Sequence, residues 1–211
     1  MEHKIIIVGI GPGSVEYMIP AALKTIEEAK VLVGGSRAME QYGKAKGQKQ
    51  CVVRANMPAV MDFIRRELQT QDVVVMVSGD PGYYSMLEAV RRNFEDTPLK
   101  VIPGLSSIQV AFAKLGMPWQ EAELLSMHGR SAPKEKMVYS PGKLLGFLTD
   151  KNNNSKTIPA LLKKMGWPGG TMVAICNRLS YPDEKIIITT IGEAAKLETV
   201  YLNCVLVVKA K

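Results

Sequence analysis

The sequence is poor in the residues that build metal sites, disulfide frameworks and nucleic-acid surfaces. Its 211 residues include only three cysteines and two histidines. Cys51, Cys176 and Cys204 are odd in number, lie far apart and form no C-x-x-C pair, and His3 and His128 stand alone. These spacings exclude a zinc-finger pattern and a disulfide scaffold, so no metal ligand set is expected and a reducing cytoplasm is the natural setting. Aromatic residues make up 6% of the chain. None interleaves with the basic groups Lys44, Lys46, Lys49 and Lys134, Lys136, so the stacking platform of a nucleic-acid surface is missing. No apolar run approaches the roughly 18 residues of a membrane span. The opening "MEHKIIIVGIGPG" enters a strand and a glycine turn at once, unlike a cleavable signal. Neither a membrane nor a nucleic acid is an expected partner.

What is present suits a folded α/β protein. With 46% apolar and 22% charged residues, the chain can bury a core. Its net charge of +7 suits an acidic small molecule, or simply a solvated basic surface. Short β-branched runs alternate with helical stripes through the first half. Lys4 to Val8, "VLVGG", "CVVR", "DVVVMVS" and "LKVIP" read as strands; Ile19 to Ala29, Met57 to Leu68 and about Ser85 to Arg92 read as helices. This alternation predicts a mostly parallel sheet with helices on both faces. A helix opening near Ser106 stops at Gly116 and Pro118, and the following residues to Glu123 look like a domain connection. Residues 1–116 and 117–211 are therefore the expected domains. The second should hold a mixed sheet built from "AELLSM", "KLLGFLT", "TMVAIC", "EKIIITTI" and "NCVLVVKA", with a helix from Ile158 to Met165. The polar window "TDKNNNSKT" predicts an exposed loop.

Three strands of the first half end in glycine loops. "VGIGPGS" lacks the G-x-G-x-x-G spacing of a dinucleotide fold, and Pro12 removes an amide that could bind pyrophosphate. Gly9, Gly11 and Gly13 suit either a tight turn or close approach to a ligand. In "SGDPGYYS", Asp80 can accept a hydrogen bond from a ligand or cap the following helix, and Pro81 stiffens the loop. In "VIPGLSS", Ser106 and Ser107 can cap the next helix or face the same ligand. In open α/β sheets ligands bind beyond the carboxyl ends of the strands. Glycine loops repeated at one sheet edge therefore predict a single binding cleft.

The series GIGPG, SGDPGYYS and PGLSS resembles the class III methyltransferases that act on tetrapyrroles with S-adenosylmethionine. "VIPGLSSIQVAFAKLGMPWQEAELLSMHGR" and "CNRLSYPDEKI" resemble the branch of that family that methylates carbon-5 of a corrinoid precursor. The resemblance implies a two-domain tetrapyrrole methylase fold with the cofactor in the cleft between the domains. It implies conversion of cobalt-precorrin-7 to cobalt-precorrin-8, with S-adenosylhomocysteine as the other product. It places the cofactor on Asp80, Tyr83, Ser106, Ser107, Leu148 and Leu179; Leu148 and Leu179 also read as plain core leucines. The loop Gly9, Gly11, Pro12, Gly13 would face the polycarboxylate substrate, and Arg130 of the HGR segment would grip a carboxylate. Arg37 and Arg178 lie beside strand-terminal loops and are lesser candidates; each arginine reads equally as a surface ion pair. His128 is the candidate general base, or a hydrogen-bonding residue. The resemblance further implies a homodimer and, since the sequence closes at Lys211 after one such unit, a separate protein for methylation and decarboxylation at carbon-15. Two alternatives stay open: a methylase of the same class acting at another ring carbon, and a module that binds the cofactor without turnover.

Overall fold

The structure, a computed structural model, describes residues 3–44, 47–54 and 56–211. Lys46 of the first basic group lies outside the described residues.

Five strands form the first sheet: β1 Ile5–Gly9, β2 Val31–Gly34, β3 Lys49–Val52, β4 Val73–Val77 and β5 Leu99–Ile102. Their order is β3-β2-β4-β1-β5, and every pairing is parallel. The runs IIIVG and VVVMV occupy the middle and are buried at every residue, as strands covered on both faces must be. Alternate residues feed two cores. Ile5, Ile7, Val73 and Val75 pack with Val60, Ile64 and Val90, from helices α3 Met57–Glu67 and α4 Leu87–Asn93. Ile6, Val8, Val74 and Met76 pack with Ala22, Ile26 and Met39, from α1 Pro20–Glu27 and α2 Ser36–Tyr42. The period of two along each strand thus fixes which helices cover which face. Helix α2 was absent from the sequence reading. Its seven residues bury only Ala38 and Met39, too short a stripe to register as a period.

The second sheet holds β6 Glu123–Ser126, β7 Leu144–Leu148, β8 Met172–Asn177, β9 Lys185–Thr190 and β10 Cys204–Lys209, in the order β6-β7-β10-β8-β9. Only β6 and β7 run parallel, so the sheet is mixed as expected. Helix α5 Ser107–Lys114 packs on it because Gly146 in β7 leaves room: a Cβ there would meet the Phe112 ring at 3.1 Å. Helices α6 Thr157–Lys164 and α7 Ile191–Ala194 complete the unit, and buried Trp167 donates from Nε1 to the Met137 carbonyl at 2.7 Å.

Packing divides the chain into compact units Met1–Ser106 and Ser107–Lys211. The Gly116–Glu123 connection, where the sequence suggested a boundary, joins α5 to β6 inside the second unit. No helix among the described residues is long and apolar enough to cross a membrane.

Candidate functional site

Parallel register brings the first unit's glycine loops to one level. Gly9 lies opposite Val77 and Val8 opposite Ile102, so the chains leaving β1, β4 and β5 emerge side by side. They then touch backbone to backbone. A Cβ on Gly9 would sit 2.6 Å from the Gly104 nitrogen and 2.7 Å from the Gly79 oxygen. One on Gly104 would sit 2.9 Å from the Gly9 Cα and collide with the Gly79 oxygen. Gly11 and Gly79 exchange backbone hydrogen bonds, at 2.8 Å from the Gly79 N–H and 3.4 Å from the Gly11 N–H. Gly11 adopts φ +72° and Gly79 φ +70°, conformations that glycine reaches without strain. Gly13 is buried and Pro12 half-buried behind them, and the Gln41 side chain donates to the Gly13 carbonyl at 3.3 Å.

Asp80 locks this convergence. Its Oδ1 accepts from the Gly82 N–H at 2.8 Å and its Oδ2 from the Gly104 N–H at 3.0 Å, tying the β4 loop to the β5 loop. The carboxylate thus serves as a cross-loop brace, a role with no signal in the sequence because Gly104 lies on another strand. Ser106 is buried beside the brace: a Cβ on Gly79 would lie 3.6 Å from the Ser106 Cα. The Tyr83 hydroxyl is buried and makes no hydrogen bond among the described residues. Burial, with Tyr84 adding to it, holds that phenol protonated far above the ordinary range, so it is a standing donor. Tyr84 packs edge-on at 4.8 Å and adopts φ 49°, a left-handed conformation uncommon outside glycine. Arg37, in the first turn of α2, reaches the same rim by donating from Nη2 to Ser78 Oγ at 3.1 Å.

In the second unit, parallel β6 and β7 also release their loops together. Met127 N–H donates to the Leu148 carbonyl at 2.8 Å, the His128 Nδ1 lies 2.9 Å from the Thr149 carbonyl, and Gly129 N–H donates to Asp150 Oδ2 at 2.7 Å. A carbonyl only accepts, so neutral His128 carries its proton on Nδ1 and presents a lone pair on Nε2. His128 and Arg130 are exposed. Asp150 also accepts on Oδ1 from the Asn152 and Asn153 N–H groups, at 2.8 and 2.7 Å. The amides of Asn153, then Gly129, pull its carboxyl down to about 2. Because the folded group is the more acidic, its stabilisation is whole above about pH 4 and fades as pH falls toward about 2. Thermal melts should therefore show Asp150→Asn less stable than the parent near neutrality, with the gap closing through that acid window.

The window 149–157 is not the exposed loop its composition suggested. Thr149, Asn154 and Ser155 are buried. Thr149 Oγ1 contacts the Leu202 and Cys204 carbonyls at 2.7 and 2.8 Å, Ser155 Oγ accepts from Tyr201 N–H at 2.9 Å, and Asn154 Oδ1 accepts from the N–H groups of Lys156 and Thr157. Polar side chains are buried here because they satisfy backbone groups. Leu148 is half-buried at the end of β7, and Leu179 is buried in the turn after β8. That turn is strained on both sides of Leu179, with φ 49° at Arg178 and 68° at Ser180. Arg178 pairs with Asp183 and lies over the Tyr181 ring at 4.6 Å, which commits its guanidinium to bracing the turn. Sequence reasoning missed Thr149, Asp150 and Asn153; an Asp followed by Asn-Asn after a strand was the available signal, since aspartate caps its own turn.

Comparison with known proteins identifies the family. The family described as Tetrapyrrole (Corrin/Porphyrin) Methylases matches residues 4–195. The chain belongs to the tetrapyrrole methylases. It is similar to the probable cobalt-precorrin-7 C(5)-methyltransferase of Methanocaldococcus jannaschii, 29% identical over 204 residues that cover 94% of this chain and 95% of that protein. The cobalt-precorrin-7 C(5)-methyltransferase of Salmonella typhimurium is 29% identical over 180 residues, 85% of this chain and 87% of its own. The crystal structure of the cobalamin-biosynthesis precorrin-6Y methylase from Archaeoglobus fulgidus superposes with a TM-score of 0.75 at 25% identity, covering 99% of each chain. The α/β fold with one parallel and one mixed sheet is that of a tetrapyrrole methylase, as the glycine loops had implied. The methylase match spans all three loops, the HGR segment and the turn around Leu179.

Proposed function

We propose that this tetrapyrrole methylase transfers a methyl group from S-adenosylmethionine to carbon-5 of a corrinoid precursor, converting cobalt-precorrin-7 to cobalt-precorrin-8. The observation that carries the reading is the joined rim of β1, β4 and β5, where Asp80 binds two loops together beside a buried Tyr83 hydroxyl that has no hydrogen-bond partner among the described residues. A buried donor of this kind costs stability unless something accepts from it, and a nucleoside-bearing cofactor is rich in acceptors. The residues fit. Asp80, Tyr83 and Ser106, gathered at this rim, are the residues that would hold the cofactor. Bound there, it supplies an electrophilic methyl group on a sulfonium.

The remaining chemistry belongs to the chain's own residues. The loop Gly9, Gly11, Pro12, Gly13 supports the macrocycle, and Arg130 grips a peripheral carboxylate with two parallel hydrogen bonds. Holding the reacting carbon in line with the incoming methyl supplies much of the acceleration. At a bridge carbon, the new carbon–carbon bond would form as the methyl–sulfur bond of the donor breaks to leave S-adenosylhomocysteine, and a carbon–hydrogen bond then breaks, so one proton leaves. His128 Nε2, whose lone pair is left available by the Nδ1–H bond to Thr149, accepts it. The net charge of +7 steers the polycarboxylate substrate inward. In this reading the protein acts as a cytoplasmic homodimer.

Incubation of each precorrin intermediate with carbon-13 methyl-labelled cofactor tests the reading. A single new methyl at carbon-5 is expected. Label at any other ring carbon would assign the chain to another step of the same class, and saturable cofactor binding with no label transfer would leave only a binding module.

A further inference from the structure

Beyond the residues that touch cofactor and substrate, we infer that Asp150 is a positioning residue for the arm His128–Gly129–Arg130. The inference rests on the reading above for what the arm does, and on the structure for how it is held. The β6–β7 ladder does not stop where the strands stop. Residues 127, 128 and 129 bond in succession to 148, 149 and 150, first backbone to backbone, then ring to backbone, then backbone to carboxylate. Asp150 supplies the last rung. Without it the Gly129 N–H, at φ +66° with open space where a Cβ would stand, loses its partner and the arm would pivot about Met127.

Asp150 is itself bonded on every side that its turn offers. Its second oxygen takes the amides of Asn152 and Asn153, its own N–H donates to the Asn153 carbonyl at 2.8 Å, and the Asn153 side chain reaches back to the Met127 carbonyl at 2.9 Å. Thr149 beside it is anchored to the end of β10 through its hydroxyl, including the Cys204 N–H at 2.8 Å. The arm therefore hangs on a turn tied by its own hydrogen bonds to the Met127 carbonyl and to Cys204 at the start of β10. This arrangement sets both the ring tautomer of His128 and the direction of the Gly129–Arg130 backbone. It explains why a polar Asp-Lys-Asn-Asn-Asn segment follows a core strand.

Two histidines in the whole chain make the test direct. In a His3→Gln background, long-range proton–nitrogen correlation spectra report His128 alone. At a pH where the ring is neutral, the parent should carry its proton on Nδ1, and Asp150→Asn should convert this to a tautomer-averaged signal. The same change should lower kcat for the corrinoid by about tenfold to a hundredfold while the dissociation constant for S-adenosylhomocysteine stays within about twofold of the parent. Asp150→Ser is the second variant, for use if Asp150→Asn does not fold: a serine hydroxyl can still cap the Asn152–Asn153 turn but offers no second oxygen to Gly129. An unaltered Nδ1–H signal with unaltered kcat in either variant would overturn the inference, as would equal losses of kcat and of S-adenosylhomocysteine affinity. If the parent methylates no precorrin, the proposed function fails, yet the ring signal still decides whether Asp150 holds the arm.

Discussion

Replacing Gly104 by alanine is expected to cost more than any other single methyl group added to the first unit. The new Cβ would lie 2.9 Å from both the Cα and the carbonyl carbon of Gly9 and closer still to the Gly79 oxygen. All three are backbone atoms, so no side chain can swing away; the loops after β1, β4 and β5 must separate. Overpacking of this kind costs about 1–3 kcal/mol, which at this chain length lowers the melting temperature by about 2–4 °C per kcal/mol. The separation also breaks the Gly104 N–H bond to Asp80 and disturbs Ser106 two residues on. Calorimetry with S-adenosylhomocysteine should therefore show affinity reduced by about tenfold or more, since a misplacement near 1 Å has effects of that order or larger. Gly170→Ala is the control, because open space surrounds its added Cβ. Parent-like melting and affinity in Gly104→Ala would mean that the three loops do not meet as described.

Asp80→Ala should produce a loss of comparable size. Two backbone donors, from Gly82 and Gly104, end on its carboxylate, and each hydrogen bond to a charged group contributes about 1.5–3 kcal/mol. Gly82 is exposed and regains water, so the net cost should be about 2–4 kcal/mol, dominated by the half-buried Gly104 N–H. Asp80→Asn should fall between, because its one carbonyl oxygen can serve a single donor while its amide nitrogen faces the other. A carboxylate that only touched a ligand would behave differently: Asp80→Ala would then melt with the parent and lose affinity alone. Measuring melting temperature and cofactor affinity on the same two variants distinguishes a brace from a contact residue. A joint fall, graded from asparagine to alanine, is the expected result.

The two variants probe features of unequal legibility. Glycines after three strands of the first half were visible in the sequence, and parallel alternation was enough to predict that their loops share an edge. Asp80 was visible as a site residue, but not as a brace, because its partner Gly104 belongs to β5 and the strand order β4-β1-β5 was not written in any local pattern. The second unit repeats the lesson more sharply. "TDKNNNSKT" reads as solvent-exposed by composition, yet Thr149 and Ser155 are buried as hydrogen-bond partners of backbone groups around residues 201–204, and Asn154 as the acceptor for the Lys156 and Thr157 N–H groups. Polarity in a sequence reports a need for partners and cannot say whether water or protein supplies them. Helix Ser36–Tyr42 escaped notice for a related reason, since its two buried residues gain their apolar setting only from the sheet beneath.

By itself, the sequence determined the alternation of strands and helices, the strand character of IIIVG and VVVMV, and the positions where the backbone must turn without side chains. Those features follow from period, β-branching and the absence of a Cβ, which are properties of neighbouring residues. Only the tertiary structure decided that Gly9, Gly79 and Gly104 meet, that Asp80 spans two loops, and that Asp150 carries the last rung beneath His128. Each of these joins residues whose separation along the chain is closed only when the sheets have formed, so no local pattern could contain them.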